Sequence, residues 1–498
     1  MKNKVTLLNI ATSLLLQVVS LISGLIVPRI ILGCFGSNQN GLIASISQFL
    51  SYITLIEGGI TGVISAKLYK PLVDGDMGKL SAVMTTARSF YRKIGWITMA
   101  YTLILALVYP LVVNTGEDYW FVFALTIVLA VGMWLQYMFS LTMTTLLNAD
   151  KKVYVVSITS IVMTIGNIAL VLLVTKTWPN LLVLKIAGAA WFALQPVVYG
   201  LFIRKHYQLD WTVPPDNTLI KERWNGFAIN LAFFIHISTD ITILTLMADL
   251  KTVSVYSMYS VVLAKISVLI HSISSGIEPS LGQAYARNDL RELHEKLDLY
   301  EFIIFFSVGF LFTVMAMLIT PFVVLYTSGV NDANYNQPLF GVMLVLAEAV
   351  YLLKAPHVSL AYAANKFKDI TIPAYIEAAI NIIVSIVLVR WIGLTGVAAG
   401  TLAAMLFRSG WHIWYTGQMI PSRKPMIFCR KLLIMTIATA AGVLICIFLI
   451  PIRELTWTTW LTHAVFYSLV LGALYAAAAG LFFRKELRFF RAYLKQKG

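Results

Sequence analysis

The chain has 498 residues, of which 59% are hydrophobic and only 12% are charged. With a mean hydropathy of +0.80, it lacks the charge that a soluble domain needs to cover its surface. The formal net charge of +15 is explained by membrane topology and contact with anionic lipid, so no nucleic-acid partner is expected. The three cysteines show no metal-ligand spacing, which predicts structural thiols and no metal site.

Apolar runs of about 20 residues or more recur along the whole chain, and each is long enough to cross a bilayer as a helix. The pattern predicts an all-α polytopic membrane protein with about 14 transmembrane helices. The first run shows no cleavage site, so we expect a retained helix and not a signal peptide. The predicted spans lie near 7–32, 41–66, 94–113, 120–148, 153–175, 182–203, 226–248, 254–284, 300–326, 338–364, 371–391, 395–417, 432–452 and 461–483.

Basic residues are distributed unevenly between the loops. If the N-terminus is cytoplasmic, only Lys176, Lys251 and Arg453 fall in external loops, and 29 of the 38 Lys and Arg residues fall in cytoplasmic segments. This asymmetry predicts that both termini are cytoplasmic. Six basic residues lie within predicted spans: Arg29, Lys185, Lys265, Lys354, Arg390 and Arg408.

The predicted loops are too short to fold as domains of their own. The chain has no Walker P-loop, which excludes a built-in ATPase of that type. The "DGD" at 74–76 resembles a glycosyltransferase metal motif, but Asp76 fits better as a helix N-cap. We therefore expect a transporter and not an enzyme, with its function carried out between the helices.

A weak internal repeat relates the ends of the second and eighth predicted spans and the cytoplasmic segments that follow them. "EGGITGVISAKLYKPLVDGDMGKL" and "SSGIEPSLGQAYARNDLRELHEKL" match at Tyr69 and Tyr285, Asp76 and Asp289, and Leu80 and Leu293. An even number of spans separates them, which predicts two six-helix lobes related by a pseudo-two-fold axis along the membrane normal. The predicted parts are an N-terminal lobe (1–206), a cytoplasmic linker (207–223), a C-terminal lobe (224–418), and an extra helix pair with a basic cytoplasmic tail (419–498).

Polar side chains follow single faces of several spans. In the first span Asn9, Ser13 and Gln17 are spaced by one helical turn, and in the second Thr54, Glu57, Thr61 and Ser65 share a face. Close helix packing explains Ser, Thr and Gly equally well. Ionisable groups at this depth instead predict a hydrated cavity between the lobes. Lys185 and Arg390 lie near span ends and are expected to snorkel, whereas Arg29 fits either snorkelling or the cavity.

Four stretches carry a resemblance to a known family: "LLLQVVSLISGLIVPRIIL", "FGSNQNGLIASISQFLSYITLIEGGI", "ARSFYRKI" and "GIEPSLGQAYARNDLREL". With the fourteen-span layout, the chain resembles the polysaccharide transporter branch of the multidrug/oligosaccharidyl-lipid/polysaccharide exporter superfamily. The resemblance implies a flippase that moves undecaprenyl-diphosphate-linked oligosaccharides of capsule, O-antigen or another surface polysaccharide. It implies two lobes alternating between inward-open and outward-open states, with spans 1, 2, 7 and 8 around the cavity.

The resemblance also indicates where a diphosphate would bind. Related flippases of peptidoglycan precursors bind it with arginines on spans 1, 2 and 8. Here span 1 offers Arg29 and span 8 offers Lys265, but span 2 offers Glu57, which departs from that pattern. The pair of spans 13–14 would form a groove for the lipid tail.

We assign two sets of candidate site residues. His236 pairs with Asp240 and His271 with Glu278 in this prediction. Each of these two pairs could titrate near neutral pH, although a structural ion pair between the lobes explains such a pair equally well. Glu57 is expected to face the cavity and either to pair with a cation or to carry a coupling ion. The substrate-binding candidates are Arg29, Lys265, Lys354, Arg408, Gln17 and Asn9. The coupling or gating candidates are Glu57, His236, Asp240, His271, Glu278, Glu348 and Glu377.

No cofactor is expected, and the energy source is H⁺, Na⁺ or the membrane potential. The expected partners are the undecaprenyl-diphosphate-linked glycan, membrane lipids and a polysaccharide polymerase, and the expected location is the bacterial cytoplasmic membrane. Alternative functions are a teichoic-acid or peptidoglycan-precursor flippase and a multidrug or cation antiporter of the same superfamily. A membrane glycan enzyme is disfavoured because such enzymes have a sizeable external loop.

Overall fold

The computed structural model describes residues 2–57, 60–216, 238–420 and 423–497. Every regular element in these ranges is helical, which confirms the all-α prediction. The chain folds into two compact units. The first comprises Met1–Phe234 with Asp249–Ser254, and the second comprises Ile235–Ala248 with Val255–Gly498.

The first unit begins with helix α1, Lys2–Ser51, which has 50 residues and a break at Gly36. Gly36 has φ 81° and ψ 177°, a conformation that glycine adopts at little cost and other residues avoid. The loop expected between the first two spans is therefore only a local break in one long helix.

The second predicted span is not one continuous helix. Tyr52 and Ile53 form a turn, after which short helix α2, Thr54–Glu57, precedes helix α3, Ile60–Asp74. The prediction of a single helix over 41–66 is wrong here, because hydropathy alone does not reveal the turn. Glu57 is the last described residue of the short segment that follows this turn.

The predicted repeat is visible in the caps of two long helices. Asp76 accepts a hydrogen bond from the Lys79 amide at 2.9 Å, at the start of helix α4, Met77–Val112. Asp289 accepts one from the Glu292 amide at 2.9 Å, at the start of helix α12, Leu290–Tyr326. Each carboxylate satisfies an amide that the first turn leaves unpaired, and the N-cap predicted at Asp76 is confirmed.

The rest of the first unit is an antiparallel array of apolar helices. Its core includes the fully buried Tyr91, Tyr137 and Tyr199. A π-helical segment, Gln136–Ser140, interrupts the fourth span. The remaining helices are α5 Tyr119–Leu135, α6 Leu141–Ala149, α7 Val153–Thr177, α8 Leu181–Phe192 and α9 Gln195–His206.

The second unit contains the other helices, except that the first residues of α11 belong to the first unit. Pro356 is expected to interrupt a helix, because proline cannot continue the helical hydrogen bonds, and one helix ends at Leu353 while the next begins at Ala355. Phe428 packs on Phe305 with ring centroids 4.7 Å apart, so the last long helices share the core of this unit. The helices besides α12 are α10 Ser238–Met247, α11 Leu250–Ala286, α13 Pro338–Leu353, α14 Ala355–Ala363, α15 Phe367–Ile392, α16 Leu394–Met419, α17 Pro425–Leu449, α18 Trp457–Phe482 and α19 Arg484–Lys497.

Eleven of the described helices are long and apolar enough to cross a membrane, and the chain is a multi-pass membrane protein. The other three predicted spans have recognisable counterparts. One is the second half of α1, which is counted together with the first half. One is α16, with 26 residues, and one is α10, of which only the part from Ser238 is described.

Candidate functional site

Two of the predicted substrate-binding cations lie together inside the second unit. Arg408 Nη1 is 3.3 Å and Lys354 Nζ is 3.9 Å from the carboxylate of Glu377. All three side chains are at most 10% exposed. Lys354 is placed by the interruption between α13 and α14, Glu377 by α15 and Arg408 by α16. Two basic side chains thus share the Glu377 carboxylate, and Glu348 lies near enough to Lys354 to interact with it electrostatically.

The pairing within this cluster is loose. At 3.3 and 3.9 Å, the two nitrogen–oxygen distances exceed the 2.7–2.9 Å of a strong charged hydrogen bond. Arg408 Nη1 is buried without a hydrogen bond of good geometry. Four residues further along α16, His412 forms a hydrogen bond with Arg408, whose Nε donates to His412 Nε2 at 2.9 Å. Lys354 also lies 4.1 Å from the ring centre of Tyr351. Such a cluster can exchange its internal carboxylate for another anion.

Asp240 lies in a buried pocket of hydroxyl groups. Its carboxylate accepts hydrogen bonds from Tyr256 at 2.9 Å and from Thr401 at 2.9 and 3.1 Å. Its side chain is 2% exposed, and in the described ranges no cation forms an ion pair with it. The predicted partner His236 lies outside the described residues, so that pairing stays a prediction.

Glu57 also binds hydroxyl groups, within the first unit. Thr61 donates to Glu57 Oε1 at 2.5 Å and Tyr137 donates to Oε2 at 3.4 Å. Tyr91 is 2.8 Å from the Thr61 hydroxyl, so α3, α4 and the π-helical segment all contribute. The carboxylate is half-buried, and none of the described basic residues forms an ion pair with it.

Glu278 occupies a corresponding setting in the second unit. Ser359 donates to its carboxylate at 2.6 Å and lies 3.3 Å from the Tyr300 hydroxyl. Like Tyr91, Tyr300 is fully buried on the long helix that follows a capping aspartate. The predicted pair with His271 is not formed, because the side chain of His271 is exposed and Glu278 binds Ser359 instead.

The remaining coupling candidate, Glu348, is not part of an ion pair either. Ser267 donates to its carboxylate at 2.7 Å. Together with Glu57, Asp240 and Glu278, it makes four carboxylates at membrane depth that are bound by hydroxyl groups. Hydroxyls can hold either a protonated or an ionised carboxyl, which is what a proton- or sodium-binding group needs.

The candidates on α1 and α11 are placed differently. The Asn9 side chain bridges to the loop before α7, donating to the Lys151 carbonyl at 2.7 Å and accepting from the Tyr154 amide at 2.9 Å. Gln17 is exposed, and Arg29 and Lys265 are half-buried. Asn9 therefore has a structural function in this conformation. For the other three a substrate-binding role stays a prediction.

The sequence analysis did not predict one buried cluster of ion pairs. Glu301, fully buried, accepts from Arg423 at 2.7 Å and from Lys431 at 2.8 Å, and Asp298 pairs with the same two cations at 3.1 and 2.8 Å. His357 Nε2 lies 3.6 Å from Glu301. The available signal was the i, i+3 spacing of Asp298 and Glu301 on one face of α12. The cluster ties the start of α17 to the second lobe.

Comparison with solved structures identifies neighbours of this fold. The chain superposes on the lipid II flippase MurJ in an inward closed conformation with a TM-score of 0.75 and 13% identity, covering 97% of this chain and 100% of that one. An inward-facing multidrug resistance MATE transporter gives 0.61 and 15%, covering 81% and 96%. The eukaryotic MATE transporter AtDTX14 gives 0.52 and 12%, covering 85% and 98%.

No family model matches the chain, and no curated protein matches it in sequence. The inward-facing MATE transporter is a member of the multidrug/oligosaccharidyl-lipid/polysaccharide exporter superfamily. The fold that the sequence resemblance implies is therefore confirmed. At these identities the likeness does not extend to a substrate.

Proposed function

We propose that this protein is a flippase for undecaprenyl-diphosphate-linked oligosaccharide repeat units of a surface polysaccharide. It would move them from the inner to the outer leaflet of the bacterial cytoplasmic membrane by alternating access. The observation that carries the proposal is the loosely paired cluster of Lys354, Glu377 and Arg408 on a fold shared with a lipid II flippase.

The extent of the structural match supports a lipid-linked substrate. The match to the lipid II flippase covers 97% of this chain and all of that one, whereas the match to the multidrug transporter covers 81% of this chain. The predicted extra helix pair at 419–498 is the part of the chain that a twelve-helix transporter would not need. A groove along this pair would keep the undecaprenyl tail in the membrane.

The charged cluster gives the diphosphate a binding partner. Carrying a diphosphate through hydrocarbon is prohibitive unless its charges are paired. A diphosphate that enters beside Arg408 and Lys354 would replace Glu377 as their partner, because the existing distances of 3.3 and 3.9 Å are longer than those of strong charged hydrogen bonds. Glu377 would be released on binding and would return to the cations after the substrate leaves.

Transport in proteoliposomes tests the proposal. The substrate is a labelled undecaprenyl-diphosphate oligosaccharide, and a membrane-impermeant glycosidase reports the leaflet on which its sugars are exposed. Arg408→Gln is expected to slow transport at least about tenfold, because a charged hydrogen bond contributes about 1.5–3 kcal/mol. The variant keeps the Lys354–Glu377 pair, so no unpaired carboxylate is left to unfold it.

Arg390→Gln is the matched control, since it removes the same charge from an exposed position near the end of α15. It should transport at the normal rate. Arg408→Lys should recover part of the lost rate. If Arg408→Gln transports like the unchanged protein, the cluster does not bind the diphosphate.

A second candidate is an ion-coupled multidrug antiporter of the same superfamily. It is favoured by the hydroxyl-bound carboxylates Asp240 and Glu57, which form no ion pair in the part of the chain that the structure describes. The charged cluster disfavours it, because Lys354 and Arg408 would repel a cationic drug. Cells that overproduce the protein would resist such drugs if this candidate is correct.

A further inference from the structure

Two cavities in the first unit share one arginine and one tryptophan. The larger has a volume of about 730 Å³ and the smaller about 380 Å³, and Arg88 and Trp211 line both. The lining comes from α4, from α5 to α6 around the π-helical segment, from α9 and from the loop after α9. Neither cavity takes part in the transport function proposed above.

The larger cavity extends along most of helix α9. Helix α9 lines it from Pro196 to Arg204, a distance of about 12 Å at the rise of an α-helix. This is most of the roughly 15 Å depth of one leaflet of the hydrocarbon core. Its sides include the apolar residues Leu135, Phe139 and Leu201.

The lining of these two cavities includes a group of four basic residues. Arg88, Arg204, Arg92 and Lys93 line the two cavities, and no acidic residue is among the described residues of either lining. Nor does a described carboxylate form an ion pair with these four. Two other basic residues near helix ends of this unit do have an acidic partner, because Lys79 pairs with Asp76 and Lys152 with Asp150, each at 2.9 Å. Among the described residues, the basic group has no such ion-pair partner.

The loop over this basic group is held in place. The Asp210 amide donates to Ser81 at 2.9 Å and the Asp216 amide donates to Thr86 at 2.9 Å, both on α4. Between these anchors Trp211 covers Arg88, with the guanidinium carbon 4.9 Å from the ring centre. The guanidinium is thereby fixed in position before any ligand arrives, which reduces the entropy cost of binding.

In the second unit, the position that corresponds to Arg88 carries a charge that is neutralised by neighbouring side chains. Counted from the capping residues Asp76 and Asp289, Arg88 and Glu301 are both twelve residues along their helices. Glu301 receives its counter-charges from Arg423 and Lys431, at the start of the extra helix pair. Among the described helices of the first unit there is no counterpart of this pair, and Arg88 lines the two cavities.

We propose that these cavities bind an anionic phospholipid of the surrounding membrane. Its phosphate would lie between Arg88 and Arg204 beneath Trp211, and one acyl chain would follow α9. The undecaprenyl tail is much longer than this cavity, so the transported lipid is not the occupant. The basic group lies on the predicted cytoplasmic side, where anionic lipid is concentrated. The proposal is independent of the transported substrate.

Native mass spectrometry of the purified full-length protein tests this site. Titration with phosphatidylglycerol and, separately, with zwitterionic phosphatidylcholine should show a preference for phosphatidylglycerol. Arg88→Gln with Arg204→Gln should weaken phosphatidylglycerol binding about 30-fold, since each basic residue near a membrane surface contributes about fivefold. Phosphatidylcholine binding should change little.

Two further variants distinguish the effect of charge on lipid binding from the effect of the cavity's shape. Lys205→Gln removes a neighbouring exposed charge that does not line the cavities, and it should keep the preference. Val197→Trp fills the apolar part and should lower binding of both lipids. Equal phosphatidylglycerol binding by the double variant and by Lys205→Gln would overturn the proposal. Displacement of phosphatidylglycerol by inorganic phosphate would also overturn it, since the site would then bind a free anion.

Discussion

Glu301 and Glu377 are both buried glutamates that face two cations, but their distances differ. The nitrogen–oxygen distances are 2.7 and 2.8 Å at Glu301 and 3.3 and 3.9 Å at Glu377. Short charged hydrogen bonds are strong and geometrically specific, whereas long ones are readily exchanged. The distances support a structural role for Glu301, and the substrate-exchange role of Glu377 is part of the proposed flippase function.

Replacing Glu301 by Gln should destabilise the fold. The change leaves Arg423 and Lys431 with one fewer counter-charge in a buried site, which typically costs about 3–5 kcal/mol. The melting temperature of the purified protein in detergent should fall clearly. Glu454→Gln, at an exposed position, is the control and should melt as the unchanged protein does. Equal melting of the two variants would show that Glu301 does not anchor α17.

Two variants of Glu57 test whether its hydroxyl-bound carboxylate carries the coupling ion. Glu57→Gln keeps the size and hydrogen-bonding capacity of the side chain but cannot ionise, so we expect transport to fall if Glu57 binds H⁺ or Na⁺. Glu57→Ala should fall at least as far. Both are measured in the proteoliposome assay. Normal rates for both variants would exclude a coupling role for Glu57.

At the scale of helices, the close approach of α15 and α16 depends on two glycines of α16. An added Cβ at Gly396 would lie 2.4 Å from the Leu388 carbonyl carbon, and one at Gly400 would lie 2.1 Å from the Ser385 hydroxyl. Both neighbours belong to α15. A small residue at every fourth position lets two membrane helices approach with their backbones in contact. This contact brings Arg408 of α16 to Glu377 of α15.

Gly400→Ala should therefore disrupt the α15–α16 contact. The new methyl group would also be 2.7 Å from the Ser385 backbone nitrogen, which cannot move aside as a flexible side chain can. We expect a loss of about 1–3 kcal/mol of stability and a lower transport rate. Gly410→Ala on the same helix meets nothing within 4 Å and should be neutral or slightly stabilising. Thermal melting of the two variants makes the comparison.

Much of the helical layout could be predicted, because a spanning helix needs only length and apolar composition. The cap at Asp76, the interruption near Pro356 and the Arg408–His412 pair also follow from local rules. The turn at Tyr52 and Ile53 and the π-helical segment do not, since hydropathy gives no sign of them. The Glu301–Arg423 pair joins residues 122 positions apart, and one sequence alone does not reveal such a partnership.

At the scale of the whole molecule, the two lobes use the same long helix in different ways. Helix α4 contains no Asp or Glu, whereas α12 contains four: Glu292, Glu295, Asp298 and Glu301. The acidic α12 anchors the extra helix pair, and the basic α4 borders the proposed phospholipid site. One repeated element has thus acquired opposite charge in the two lobes. This asymmetry suits a transporter that binds its lipid tail on one lobe only.

The most direct test of the flippase proposal uses cells depleted of this protein. A membrane-impermeant glycosidase is applied to intact protoplasts, and mass spectrometry identifies the undecaprenyl-linked oligosaccharides that accumulate. We expect them to accumulate protected from the enzyme, on the inner leaflet. Accumulation of accessible oligosaccharides would place the block after flipping, and no accumulation at all would contradict the assignment of a lipid-linked glycan as the substrate.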